Sequence, residues 1–429
     1  MSFFRIEGGA PLNGTVRVSG NKNEALPTVA AALLADEPVT LRNLPDILDV
    51  RVMLEVAQAL GAEVTRLGPH DVRIHTPRLL TTRVPDDLGR HVRASILFAG
   101  ALLGRAREVQ LPPPGGDVIG RRRLDTHFDG FVALGAEFKS SAEGFALRAE
   151  KLVGADLLLD EASVTATENL LMAAAVAEGT TILGNCAGEP HVQGLARMLV
   201  AMGARIEGIG SNRMVVHGVP RLGGCDYTIG PDYLEVGSFI GLAAVTGGQL
   251  RIEHAAPEHL RMIRMVFRRL GVETLVEGDD VLVPGGQSLR VRQDLGGGIP
   301  KVDDAIWPQF PTDLMSIAIT VATQSHGTVL FFEKMFEGRM FFVDHLIGMG
   351  AQIILCDPHR VVVVGPSRLV GQRVQSPDVR AGMAMLIAAL CAQGVTTIHN
   401  VRNIDRGYER IEQKLQALGA RIERFSDAA

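Results

Sequence analysis

The sequence predicts an α/β protein of two lobes, each built from three copies of one mixed unit. Three observations carry that reading. A helix-ending triplet recurs six times, as Leu60-Gly61-Ala62, Leu134-Gly135-Ala136, Met202-Gly203-Ala204, Leu270-Gly271-Val272, Met349-Gly350-Ala351 and Leu418-Gly419-Ala420, at spacings of 68 to 79 residues. A short segment with alternating polarity follows each triplet: AEVTRL, AEFKSS, ARIEGI, VETLVE, AQIILC and ARIERF. Earlier in each unit a small-residue stretch runs through a turn into β-branched residues, as in AALLADEPVTLRN, AAVAEGTTILGN and AALCAQGVTTIHN.

Each element has a physical reason. Glycine in the triplet accepts the left-handed conformation that closes a helix, where a side chain would clash. The alternating segments read as strands with one buried face. The helices before the turns carry Ala, Leu, Ile and Met on more than one face, which predicts burial on several sides. The unit is therefore strand, helix, strand, helix, strand, strand. Six units in 429 residues give about 71 residues each, against the roughly 20 to 50 of solenoid repeats. Units of that size suit compact groups of three. The repeat by itself says nothing of chemistry, which must come from residues that interrupt it.

Composition removes several classes of function. The chain is 46% hydrophobic and 21% charged, with a formal net charge of -5, which argues against a general nucleic-acid or anionic-membrane binder. Aromatics make up 5% with one tryptophan, too few for base-stacking platforms. The longest apolar runs, 94–103 and 383–392, are about half the length of a membrane span. The N-terminal MSFFRIEGGAPLNG lacks a basic and apolar leader, so a cytoplasmic location is expected. Four scattered cysteines form no C-x-x-C pair, predicting free thiols and no zinc site. Phosphate-loop, dinucleotide and metalloprotease motifs are absent, so no cofactor and no metal are expected.

Charge gathers where the repeat does not require it. Loop 112–127 reads PPPGGDVIGRRRLDTH, with Asp117 at its tip and Arg121, Arg122 and Arg123 close behind. Lys22 stands in SGNKNEALP, Arg93 in HVRASI, Arg339 in FEGRMFF, Arg380 in PDVRAG and Arg406 in IDRGYER. Several precede a helix, where free N–H groups and the helix dipole also favour an anion. Singly each is a surface cation; together they suggest a site for a multiply charged anion. Asp313 lies in WPQFPTDL after a long irregular segment, where it is a functional candidate or a cap on the helix that follows. Asp303-Asp304 read as solvated acids, and Asp405 as a local ion-pair partner or cap.

The blocks SGNKNEALP, VRASI, PGGDVIGRRRLDTH, SVTATENLLMAAAVAEGTT, FPTDL, FEGRM, DVRAG and IDRGYERIEQKLQALGA together resemble, nearly end to end, the UDP-N-acetylglucosamine 1-carboxyvinyltransferases, enolpyruvyl transferases of the EPSP synthase superfamily. The resemblance implies a two-domain inside-out α/β barrel of six βαβαββ repeats, three per domain. Residues 22–230 would form the first domain, with the flexible loop 112–127. Residues 231–429, completed by 1–21, would form the second, with the active site between them. It also implies transfer of enolpyruvate from phosphoenolpyruvate to the 3′-hydroxyl of UDP-N-acetylglucosamine with release of phosphate, an early step of peptidoglycan synthesis. No nucleic acid or membrane partner is implied.

By the same resemblance, Asp313 is the base at the sugar hydroxyl. Lys22, Arg122 and Arg406 hold phosphoenolpyruvate, and Arg339 and Arg380 add positive field. Asn23, Arg93, Arg122, Arg123, Leu124, Asp125, Thr126, Glu161, Ala162, Ser163, Val164 and Met335 line the sugar-nucleotide site. Asp117 takes the place of the family's frequent loop cysteine as proton donor. A free aspartate titrates near 3.9; Arg122 would lower that value, and bound phosphoenolpyruvate in a closed loop would raise it. Without the cysteine that fosfomycin alkylates, the chain is expected to be insensitive to that inhibitor. Arg123, Thr165, Gly188, Gly338 and Asn403 depart from the family's usual residues. Two other readings stay open: a paralogue acting on another nucleotide or sugar acceptor, and an inactive sugar-nucleotide-binding regulator. The shikimate-pathway relative fits less well, because Lys22 is followed by Asn23-Glu24.

Overall fold

The computed structural model describes residues 2–117 and 119–426; Val118, which falls within the expected loop 112–127, lies outside the described residues, as do Met1 and residues 427–429. The chain divides into two compact units, one of residues 1–19, 118–121 and 231–429, the other of residues 20–117 and 122–230.

All six triplets end helices in the same way. Gly61, Gly135, Gly203, Gly271, Gly350 and Gly419 have φ between +91° and +115°. The amide after each glycine reaches back to a carbonyl five residues earlier, as in Ala62 N to Ala57 O at 2.9 Å and Ala420 N to Leu415 O at 2.9 Å. This is the glycine-dependent closure that satisfies orphan carbonyls at a helix end. The short strands expected after the triplets form, at Glu63–Arg66, Glu137–Ser141, Arg205–Glu207, Leu275–Glu277, Gln352–Asp357 and Arg421–Ser426.

Six further helices, one per repeat, are buried nearly all round: α1 (Lys22–Ala31), α2 (Phe98–Ala106), α3 (Val164–Ala174), α4 (Tyr233–Thr246), α5 (Met315–Ala322) and α6 (Val379–Cys391). Small residues let their backbones approach closely, so the helices fill the interior of each unit and the sheets cover them. Each unit has its own apolar core, one from Ala25 to Ile229 and the other from Phe4 to Ile422. Burial of each large apolar side chain contributes roughly 1.5–3 kcal/mol.

Among the described residues, five sheets have four strands and one has three. In the five, an edge strand runs parallel to its neighbour, as Lys301–Asp303 does beside Gly327–Phe332, and the remaining pairings are antiparallel. In the three-stranded sheet a single parallel bridge, Arg83 to Gln110, stands in the fourth position. The last sheet is completed by Ser2–Glu7, which sits between Val395–His399 and Arg421–Ser426 and pairs antiparallel with both. Among the described residues no helix is long and apolar enough to cross a membrane.

Candidate active site

In the unit of residues 20–117 and 122–230, the candidate residues gather at helix starts. Asn21 caps α1 by accepting from Glu24 N at 3.2 Å, so Lys22 and Asn23 are its first two residues. The Lys22 ammonium lies 2.8 Å from Asp49 Oδ2, with both side chains at most 10% exposed. Nothing in the sequence marks Asp49 as this partner, because the pairing depends on where the next helix docks. Ser163 caps α3 by accepting from Ala166 N, which places 161–164 at the positive end of that helix.

Arg93 opens a short 3-10 helix, Arg93–Leu97, and donates from Nη2 to the Arg122 carbonyl at 2.6 Å. Burial first, and then the Arg122 cation, lower its pKa to about 10. It therefore stays charged at neutral pH, in a setting that a bound anion would relieve. The glycine pair before Asp117 explains the course of the loop. A Cβ on Gly115 would lie 1.7 Å from Arg90 O, and one on Gly116, at φ +107°, would lie 2.7 Å from Arg93 Cβ. Only glycine lets the chain pass this close, and Asp117, half-buried, is the next residue.

The RRLDT segment divides by role. Arg123 is engaged by Asp125 at 3.2 Å and Asp160 at 2.9 Å, and buried Thr126 donates to Asp160 Oδ1 at 2.6 Å. Leu124 packs against the core. Asp160, which the sequence reading missed, thus joins both ends of the segment. His127 is buried, and burial, then Arg93, push its pKa down to about 3. Asn169 ties α2 to α3 by accepting from Gly100 N at 2.7 Å and donating to Ile96 O at 3.0 Å. Its amide also lies 2.9 Å from His127 Nδ1. That nitrogen must accept, so His127 Nε2–H donates to Thr165 Oγ1 at 3.1 Å. The departure at Thr165 therefore supplies an acceptor for a buried imidazole.

In the other unit Asp313 lies in the 3-10 turn Thr312–Leu314 before α5. The residues that open that turn and α5, Pro311 and Leu314, make no side-chain cap bond; the Asp313 carboxylate accepts from Arg339 Nη2 at 2.5 Å and from Arg380 Nε at 3.1 Å. Both arginine side chains are nearly buried, at 11% and 5% exposed. Burial works against their charge, but Asp313 and neighbouring groups outweigh it and raise both pKa values. Arg339 Nε and Arg380 Nη1 are buried without an acceptor among the described residues. Two cations around one carboxylate, each with a spare donor, form a receptor for further negative charge.

Asp378 caps α6 by accepting from Arg380 N and Ala381 N, and the Arg380 guanidinium lies 5.5 Å above the Tyr408 ring. Arg406 follows the short helix Arg402–Asp405. Asp405, expected as a local partner, accepts from Arg424 at 2.8 and 2.6 Å. Asn403 donates to Ser376 O and Pro377 O, fixing that short helix beside the Asp378 cap. Met335 donates its N–H to Glu333 at 3.0 Å. Asp303 pairs with Lys301 and Lys334, whereas Asp304 is fully buried. The expectation of two solvated acids therefore fails for Asp304, because strand alternation puts it on the same buried side as Val302.

A family model described as EPSP synthase (3-phosphoshikimate 1-carboxyvinyltransferase) matches residues 6–415. The chain is 55% identical over 423 residues to the UDP-N-acetylglucosamine 1-carboxyvinyltransferase of Treponema denticola, covering 99% of each chain. It is 57% identical over 424 residues to the enzyme of the same name from Bradyrhizobium diazoefficiens, covering 99% of this chain and 98% of the other. The crystal structure of the enolpyruvyl transferase NikO from Streptomyces tendae superposes with a TM-score of 0.88 at 26% identity, covering 100% of this chain and 99% of that one. Agreement at this identity over the full length places the chain in the EPSP synthase family, among the UDP-N-acetylglucosamine 1-carboxyvinyltransferases.

Proposed function

We propose that the chain transfers the enolpyruvyl group of phosphoenolpyruvate to the 3′-hydroxyl of UDP-N-acetylglucosamine and releases phosphate, the first committed step of peptidoglycan synthesis. The observation that carries this reading is Asp313 held between two nearly buried arginines with donors to spare. A carboxylate so oriented can take a hydroxyl proton, and the guanidiniums can balance the charge that develops. The names of the relatives give the acceptor.

The reaction needs one bond made and one broken. As Asp313 removes the 3′-hydroxyl proton, the oxygen bonds to C2 of phosphoenolpyruvate, and the terminal carbon takes a proton from Asp117. Loss of a proton from that carbon then re-forms the double bond as the C2–O bond to phosphate breaks. Lys22, Arg122 and Arg406 hold the phosphate and carboxylate, with Arg339 and Arg380 adding field. Asn23, Arg93, Arg122 to Thr126, Glu161 to Val164 and Met335 line the acceptor site. Residues 22–230 and 231–429, the latter completed by 1–21, act as the two domains, and the enzyme works in the cytoplasm on soluble substrates.

Phosphate release is the test. Release from phosphoenolpyruvate should require UDP-N-acetylglucosamine and should fall by about 10²–10⁴ in Asp313→Ala, the range for a lost acid–base group. Wild-type activity equal to that of the variant would point to the regulator. Release with another acceptor alone would point to the paralogue.

A further inference from the structure

Behind Asp313 lies a second pair of acids that the reaction above does not use. Asp304, just after the strand Lys301–Asp303, and Glu333, just after Gly327–Phe332, are both 0% exposed. Glu333 joins two pieces of the candidate site. Its Oε1 accepts from Met335 N and Phe336 N, each at 3.0 Å. Thr312, the neighbour of Asp313, donates its hydroxyl to the same carboxyl, 3.1 Å from Oε1 and 2.9 Å from Oε2. Asp304 Oδ1 accepts from Lys334 N at 2.6 Å, while its Oδ2 is buried with no donor among the described residues.

Two adjoining carboxylates cannot both stay ionised in such a place. Burial first, and then the hydrogen bond and charge of Asp304, push the Glu333 carboxyl up to about 8. Arg339 and Thr312 pull the other way without cancelling the rise. The other charged groups nearby face elsewhere. Asp303 is engaged by Lys301 and Lys334, Asp313 is joined to Arg339, and His359 Nδ1–H donates to the Glu333 backbone carbonyl at 2.7 Å.

We infer that Glu333 and Asp304 share one proton, with Glu333 Oε2–H donating to Asp304 Oδ2, and that this proton positions Asp313 and the segment from Met335 to Arg339 for the reaction. Oε1 already receives the two amides while Oε2 receives only the Thr312 hydroxyl, so Oε2 is the oxygen that can carry hydrogen toward Asp304 Oδ2, which has no donor among the described residues. When the proton leaves in mildly alkaline solution, the two anions repel, and the turns at Thr312 and Met335 loosen. Glu333 is thus a positioning residue. The inference rests on the functional reading above for its kinetic consequence but not for the proton.

The test compares wild type, Glu333→Gln and Glu333→Ala. The amide of Glu333→Gln keeps the donor toward Asp304 and cannot titrate. Wild type should show KM for UDP-N-acetylglucosamine rising severalfold from about pH 7 to about pH 9, above the midpoint of such a group. Glu333→Gln should match wild type at neutral pH and stay flat, and Glu333→Ala should have a raised KM throughout. Thermal unfolding of the unliganded chain supplies the second readout. A carboxyl that titrates higher folded than unfolded contributes stability that is full below about 4.5 and is lost as pH rises toward about 8. The wild-type Tm should therefore fall across that window relative to Glu333→Gln. Coincident Tm curves would overturn the shared proton. Separate Tm curves with identical KM profiles would overturn the positioning role. Absence of phosphate release from all three proteins would count against the functional reading, and the Tm comparison would still decide the proton.

Discussion

At the scale of single residues, chemistry depends on which groups a side chain meets. Asp313, a cap candidate by sequence, accepts from two arginines. Asp117 follows a glycine whose missing Cβ lets the loop pass against Arg93. If Asp117 delivers the proton in place of a thiol, Asp117→Cys should retain phosphate release and acquire rapid, time-dependent inactivation by fosfomycin, and the wild type should show none. Progress curves with and without preincubation check this; time-dependent inactivation of the wild type would remove Asp117 from its role. The candidates Lys22, Arg93, Arg339 and Arg380 were legible because each interrupts the repeat with charge, three of them at a helix start. The acids Asp49, which pairs with Lys22, Asp160, which holds Arg123 and Thr126, and Glu333, which holds Thr312 and Met335, were not legible, because an acid on an ordinary-looking strand end or helix carries no local mark of what it will face.

At the scale of elements, the departures from the family pattern become readable. Thr165 accepts a hydrogen bond from buried His127, and Asn403 fastens the short helix before Arg406. Gly338 is a matter of space. Its N–H donates to Ile119 O at 2.9 Å, and a Cβ there would lie 2.8 Å from the Ile119 carbonyl carbon, inside the distance that side chains tolerate. The neighbouring Glu337 Oε2 accepts from Arg121 N at 3.1 Å, so the 119–121 tip is held at two points. Gly338→Ala should break this contact. We expect kcat/KM to fall about tenfold, the loss of about 1.4 kcal/mol from one or two hydrogen bonds, with Tm little changed. Unchanged kinetics would mean that the contact has no part in turnover.

At the scale of the whole molecule, six copies of one unit form two cores, and each core depends on strands drawn from distant parts of the chain. Ser2–Glu7 is the clearest case. It carries Phe4 and Ile6, both 0% exposed, and bonds to a strand on either side. Deleting residues 2–7 removes both ladders and two buried side chains. Hydrogen exchange should then show loss of protection in 231–426, with α1, α2 and α3 still protected; full protection in 231–426 would contradict this account. The sequence alone determined the sixfold repeat, the glycine-closed helices, the α/β class and the positions of the anion-binding candidates. All of these follow from local rules of backbone conformation, hydrophobic period and charge. Only the tertiary structure decided that Asp304 is buried beside Glu333, that Asp313 is forked by two arginines, and that the N-terminal strand closes the last sheet. Those outcomes depend on contacts between residues far apart in sequence, where burial and proximity, rather than residue type, set which groups pair and which must keep a proton.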